Sequence, residues 1–249
     1  MTILTQVGGI AYLLFLYINR KLSLKRFKSF GLFIGLYFAV SVFIVPLAGV
    51  ISSRKPLPLT GDLRPLTLWT VLLNRHYVDE SLKESMANVA SEMAKEFPGT
   101  HTNYLDANFP FWNGFPLIPH LSHNDGKKLD LAFYYTENSQ VSNSAPSFIG
   151  YGAYEEPKPR ELNYPKICTG KGYWQYGLIG KLVPVSSSYQ VDEDRTRKLL
   201  LKLAANSEIT KIFIEPHLKN RWGLSEVDKI RFHGCQAVRH DDHIHLQIR

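Results

Sequence analysis

Two long apolar stretches open the chain. Ile3–Ile18 is broken only by Thr5, Gln6 and two glycines, and Phe30–Ile51 only by Ser41, with Pro46 near its end. A membrane-spanning helix needs about 20 apolar residues; the second stretch meets that length and the first approaches it. Between them lies RKLSLKRFK (Arg20–Lys28), with five basic groups in nine residues. Short loops of this kind stay on the cytoplasmic side. The pattern predicts a transmembrane helical hairpin over residues 1–52, with a basic cytoplasmic loop and everything downstream on the outer face of the cell membrane. A cleaved signal peptide fits less well, because no basic residue precedes the first apolar stretch.

The pattern then changes. Residues 53–65 mix Pro56, Pro58 and Pro65 with scattered charges and read as a linker, leaving residues 66–249 as one extracytoplasmic domain. In DESLKESMANVASEMAKEF, Leu82, Met86, Val89, Met93 and Phe97 recur at helical spacing, with Asp79 or Ser81 as cap and Pro98-Gly99 as stop. THTNYLDANFPF is strand-like and runs into an aromatic, proline-rich turn; LDLAFYY reads as a strand. Residues 136–190 are rich in Ser, Asn, Pro, Gly and Tyr and read as long loops, with a short strand or two around Tyr173–Val185. Asp192–Asn206 is a second helix with Leu199, Leu200 and Leu203 inward, Lys211–Ile214 a short strand, and DDHIHLQI a terminal one. This order predicts an α+β domain, a small antiparallel sheet with flanking helices.

The formal charge of +7 belongs to one end. Residues 1–61 hold seven Lys or Arg and no acid, leaving 22 basic and 22 acidic groups from Asp62 onward. A nucleic-acid-binding domain carries its basic face on the folded part, so nucleic acid is not an expected partner. Cys168 and Cys235 are too far apart for a CxxC motif. They pair in an oxidising compartment or stand as two unrelated buried thiols.

Candidate chemistry sits in two blocks. On a strand, DDHIHLQI puts His243, His245 and Gln247 on one face and Ile244, Leu246 and Ile248 on the other. Two imidazoles aimed into one pocket repel if both are charged, and a metal ion removes that difficulty by binding the neutral ring. Upstream, HLSHNDGKKLDLAF places His123 and Asp130 around Gly126, with Asp130 opening an apolar strand. Two His and one Asp give three protein ligands and an open fourth position, the composition of a catalytic zinc site.

Ser122-His123, Gly126, Asp130-Leu131 and His243-Ile244-His245 resemble the zinc signature of LAS-type metallopeptidases, a group that includes D-alanyl-D-alanine carboxypeptidases and the hedgehog domain. His120 and the pair His240-Asp241 strengthen the likeness to penicillin-insensitive murein endopeptidases in particular. The resemblance covers residues 120–131 and 240–248. It implies a hedgehog/DD-peptidase-like fold, with His123, Asp130 and His245 binding Zn2+ and His243 beside the metal. Asp242 is implied as general base with His240 assisting, although on a regular strand Asp242 faces away from His243 and His245. His120 is either a partner fixing a ligand ring or a plain loop histidine. Glu215-Pro216-His217 reads as a strand-end turn, and Phe109, Phe111, Trp112 and Phe115 as packing around the site loop. The function so implied is hydrolysis of peptidoglycan stem peptides or cross-links, in the periplasm or outside the cell. The alternative is an inactive zinc-containing module that binds cell-wall peptides or an envelope partner.

Overall fold

The computed structural model describes residues 2–49, 53–176 and 182–249. Helices α1 (Gly8–Leu22) and α2 (Arg26–Ala39) pack side by side, with Phe33 edge-on to Tyr12 and Phe15. From α2 the chain stays helical through a π-turn at Val40–Ile44 and on to Gly49. Arg26–Ala48 is 23 residues long, and its most apolar stretch of 18 residues has mean hydropathy 2.3 and is only 6% buried. At about 1.5 Å per residue it covers the roughly 30 Å of a bilayer core. Helix α1 has only 15 residues, about 22 Å at the same rise. The expected pair of spans is not shown: among the described residues one helix is long and apolar enough to cross a membrane.

The domain is α+β, as the element order predicts, and its main sheet has six strands. They are β1 (Leu63–Pro65), β2 (Thr102–Tyr104), β3 (Lys128–Ala132), β4 (Ile209–Phe213), β5 (Ile230–Arg231) and β6 (His243–Ile248). Their spatial order is β5-β4-β6-β3-β2-β1. Strand β6 lies antiparallel between β3 and β4, while β5 runs parallel to β4 and β1 parallel to β2. The sheet is thus mixed rather than purely antiparallel. Residues 53–65 are not a free linker: Arg54–Pro56 pairs with Tyr77–Asp79, and β1 closes the sheet edge. Leu57 and Leu63 are buried there, and that burial holds the stretch down. Pro65 is tolerated because it ends an edge strand.

One sheet face carries Leu129 and Leu131 from β3, Ile212 from β4, and Ile244 and Leu246 from β6, all fully buried. Helices α3 (Glu80–Glu96) and α4 (Glu193–Ala205) cover this face with Leu82, Met86, Met93, Leu199, Leu200 and Leu203. Asp192 caps α4 by accepting from Arg195 N at 3.0 Å, which offsets one of the unpaired N–H groups of its first turn. The alternate positions on β3 and β6 (Asp130, His243 and His245) face the opposite side.

Residues 136–190 carry more order than their composition suggests. Tyr135–Glu137 forms a separate three-stranded sheet with Gln140–Ser142 and Tyr189–Val191, and Tyr164–Gly170 is helical. No strand occurs among the described residues of Tyr173–Val185, of which 177–181 lie outside the description. Cys168 and Cys235 are joined by a disulfide across 67 residues of sequence, tying the Tyr164–Gly170 helix to the loop before β6.

Replacing Leu246 by Ala is expected to lower unfolding stability by about 2–5 kcal/mol, the usual cost of a cavity in a close-packed core. Denaturant unfolding of the detergent-solubilised chain would read it, and a loss under about 1 kcal/mol would contradict the packing described.

Candidate metal centre

The antiparallel register of β3 and β6 places His245 directly opposite Asp130. His123 arrives from the loop before β3, whose tight path needs Gly126 at φ +85. A Cβ at that position would stand 2.4 Å from Asp79 Oδ1, so both the conformation and the space favour glycine. The three side chains meet in a fully buried cluster, with Asp130 0%, His123 1% and His245 3% exposed. Asp130 Oδ1 lies 2.9 Å from His245 Nδ1 and 3.2 Å from His123 Nε2, and the two ring nitrogens are 3.0 Å apart.

Those distances decide what the cluster can hold. His123 Nδ1 is 2.7 Å from the Ala107 carbonyl, to which it donates, so its Nε2 is the atom turned to the cluster. Three electron-pair donors then converge within hydrogen-bond distance. A proton satisfies one or two of those contacts, whereas a cation satisfies all three. Burial pushes the Asp130 carboxyl up, yet His123, His243 and His120 around it hold it well below the usual carboxylate range. Burial pushes His245 down to about 3, whereas on His123 the Asp130 carboxylate overrides burial and raises it. His123, Asp130 and His245 can hold a metal ion, and a donor set of two imidazoles and one carboxylate is one that several divalent transition metals accept.

Groups around the cluster orient it. The Tyr151 hydroxyl donates to Asp130 Oδ2 at 2.9 Å, and Phe213 stacks on the His245 ring with centroids 5.5 Å apart. His120 Nδ1 lies 3.2 Å from Asp106 Oδ2 and 3.4 Å from Asp130 Oδ2, and Arg75 donates to Asp106 at 3.1 Å. His120 is therefore part of the site and not a plain loop histidine. Asp106, Tyr151, Phe213 and Arg75 went unmarked in the sequence, since each is a single residue in a strand or loop with no motif around it.

The remaining expected residues divide. Asp242 does not face the cluster: Oδ1 bonds His243 Nδ1 and Oδ2 accepts from Gly152 N at 2.6 Å. His243 Nε2 is 3.8 Å from Asp130 Oδ2 and has no hydrogen-bond partner among the described residues. The His240 ring lies 5.0 Å from that of His243 and 5.6 Å from that of His245, centroid to centroid. Its burial, reinforced by His243 and His245, holds it well below the ordinary histidine value and so neutral. Glu215 immediately precedes the Pro216–Arg221 helix, and its Oε1 accepts from His240 N at 3.3 Å. Burial pushes its carboxyl up to about 7. Glu215 braces the His240 loop without reaching the metal cluster, while His217 lies 2.8 Å from the Glu155 carbonyl. Phe109 is buried and packs edge-on to Phe115, whereas Trp112 is exposed.

Compared with known families and with curated proteins, the chain matches no family model and no curated relative.

Metal binding should raise the melting temperature of the metal-stripped chain. The native state gains about 2.7 kcal/mol at a free metal concentration one hundred times the Kd. Asp130→Ala should abolish that rise. Equal rises in the wild type and the variant, read by differential scanning calorimetry with zinc or cobalt, would rule out the cluster as the site.

Proposed function

We propose that the chain is a membrane-anchored zinc metallopeptidase whose domain lies on the outer side of the cell membrane and hydrolyses peptide bonds of peptidoglycan. The observation that carries the reading is the convergence of His123, Asp130 and His245 on one buried point. Three protein donors, rather than the four typical of structural zinc, leave a coordination position free for catalysis. The sheet with helices on one face and the site on the other is compatible with the hedgehog/DD-peptidase-like fold implied by the resemblance. The candidate span Arg26–Ala48 and the basic stretch before it favour an outer location for the domain. A disulfide is at home in that oxidising compartment.

When bound, the ion would polarise the scissile carbonyl and lower the pKa of a water molecule. The protein's own residues divide the rest of the work. His123 is locked in orientation by the Ala107 carbonyl, and Asp130 by Tyr151. His240, neutral and beside both His243 and His245, is the group best placed to take a proton and return it to the leaving amine. Asp242 has both oxygens engaged; it positions His243 and leaves the base role to His240. A cavity of about 280 Å³ opens beside His120, Asp106 and Tyr151, walled by Trp69, Leu73 and Ile149, and offers room for an apolar side chain of the substrate.

The test is mass spectrometry of muropeptides released from sacculi by the full chain in detergent. The wild type should release fragments and His245→Ala none. His240→Ala should lose about 10²–10⁴-fold in kcat, and Asp242→Ala about 10–100-fold, as for a group that orients another. Binding of muropeptides without turnover would select the inactive binding module, and wild type indistinguishable from His245→Ala would end the peptidase reading.

A further inference from the structure

We propose that Asp130 bridges two metal ions, one on Oδ1 with His123 and His245, the other on Oδ2 with His120 and His243. The proposal deepens the peptidase reading of the same site and rests on it only in requiring that the first ion bind.

The second set is built from different atoms than the first. His120, Asp130 and His243 are all buried, and their donor atoms lie within 4.8 Å of one another. His120 Nδ1 is 3.4 Å and His243 Nε2 3.8 Å from Asp130 Oδ2. Those separations are long for direct hydrogen bonds and leave a gap that an ion between the three atoms would fill.

His243 supplies the independent observation. Its Nδ1 is bonded to the Asp242 carboxylate. Ligation through Nε2 requires the proton of the neutral ring on Nδ1, and a carboxylate behind a histidine is the usual device that fixes that metal-binding tautomer. Yet Nε2 is buried, turned toward Asp130, and without a hydrogen-bond partner among the described residues, on a residue 1% exposed. A buried polar atom left this way costs free energy comparable to a lost hydrogen bond, and a ligand on it removes that cost.

The surrounding charge points the same way. Asp130, Asp106 and Asp242 are three buried carboxylates, set against the Arg75 guanidinium on Asp106. A second divalent ion would neutralise part of this charge. Tyr151 donates to Asp130 Oδ2 and uses one of that oxygen's two lone pairs, leaving the other for a metal. His120 Nδ1 is within hydrogen-bond distance of Asp106 Oδ2, at 3.2 Å, and on binding the ion it would exchange that contact for the metal, leaving Asp106 beside it as a further carboxylate. Paired ions about 3.5–4 Å apart are a recurrent arrangement in hydrolytic enzymes, where they hold the attacking and leaving groups together.

The experiment is elemental analysis of the metal-stripped full chain in detergent, reloaded with Zn2+ or Co2+, together with X-ray absorption at the metal edge. The expected result is two ions per chain and a metal–metal scattering peak at about 3.5–4 Å. His120→Ala and His243→Gln should each drop the count to one and remove that peak, while Asp130→Ala drops it to zero. Circular dichroism and the first ion retained in the single variants show that they are folded. One ion per chain in the wild type, unchanged in His120→Ala and His243→Gln, overturns the bridged pair and leaves the peptidase reading standing. No bound ion at all overturns both.

Discussion

The pairing of β6 with β3 is the constraint on which the rest depends. It sets His245 against Asp130, and the same register sets Leu246 against Leu129 and Ile244 against Leu131. Side chains alternate along a strand, so a slip of one residue would turn Asp130 into the apolar core and a leucine into the site. The core residues forbid that slip. Leu129, Leu131, Ile244 and Leu246 are all at 0% exposure, and each contributes about 1.5–3 kcal/mol of burial. The chemistry on one face is therefore held in place by hydrocarbon on the other.

Register alone does not make it favourable to bury a carboxylate among imidazoles. An isolated charge in such a place is costly unless it is paired and hydrogen-bonded. Asp130 is paired on both oxygens: His123 and His245 face Oδ1, while Tyr151, His120 and His243 face Oδ2. These partners are themselves held, His123 by the Ala107 carbonyl, His120 by Asp106, and His243 by Asp242. The polar cluster is a chain of supports running outward to Arg75 and Gly152. Removing one member leaves its neighbours buried without a partner, so effects of single substitutions in it will not add.

Much of this was legible in the sequence because it follows short periods. The alternation in HIHLQI assigned a polar and an apolar face to β6, the i, i+4, i+7 spacing assigned α3, and the His123–Asp130 block ended in a strand as read. Where periodicity stops, the reading stops. Strand β6 begins at His243, so the alternation that turned Asp242 away from His243 does not apply, and the carboxylate folds onto the His243 ring instead. The basic loop and two apolar stretches suggested two spans, but apolar runs do not fix helix ends, and α1 is only 15 residues long. Prolines in 53–65 signalled a linker, whereas Leu57 and Leu63 tie it into the core. Tyr151 comes from a loop whose composition carries no period, and only tertiary packing reveals it.

The stretch just after the candidate membrane helix does more than connect. Arg54 Nη1 donates to the Phe109 carbonyl at 2.6 Å and Nη2 to the Asn124 carbonyl at 3.0 Å. Asn124 follows His123 directly, and Phe109 lies two residues after Ala107, the carbonyl partner of His123. One guanidinium thus spans both segments that position the first histidine of the site. Further along, Arg75 and Asn108 repeat the pattern: Ala107 N donates to the Arg75 carbonyl at 2.8 Å, and Asn108 pairs with Tyr77. At the domain end of the helix pair, Gln6 accepts from Phe111 N at 2.8 Å, and Asn74 donates to Ser41 at 3.1 Å. The N-terminal helices are therefore packed against the walls of the site loop rather than tethered to the domain by a free linker. A displacement of Arg54 would have to carry both carbonyls with it.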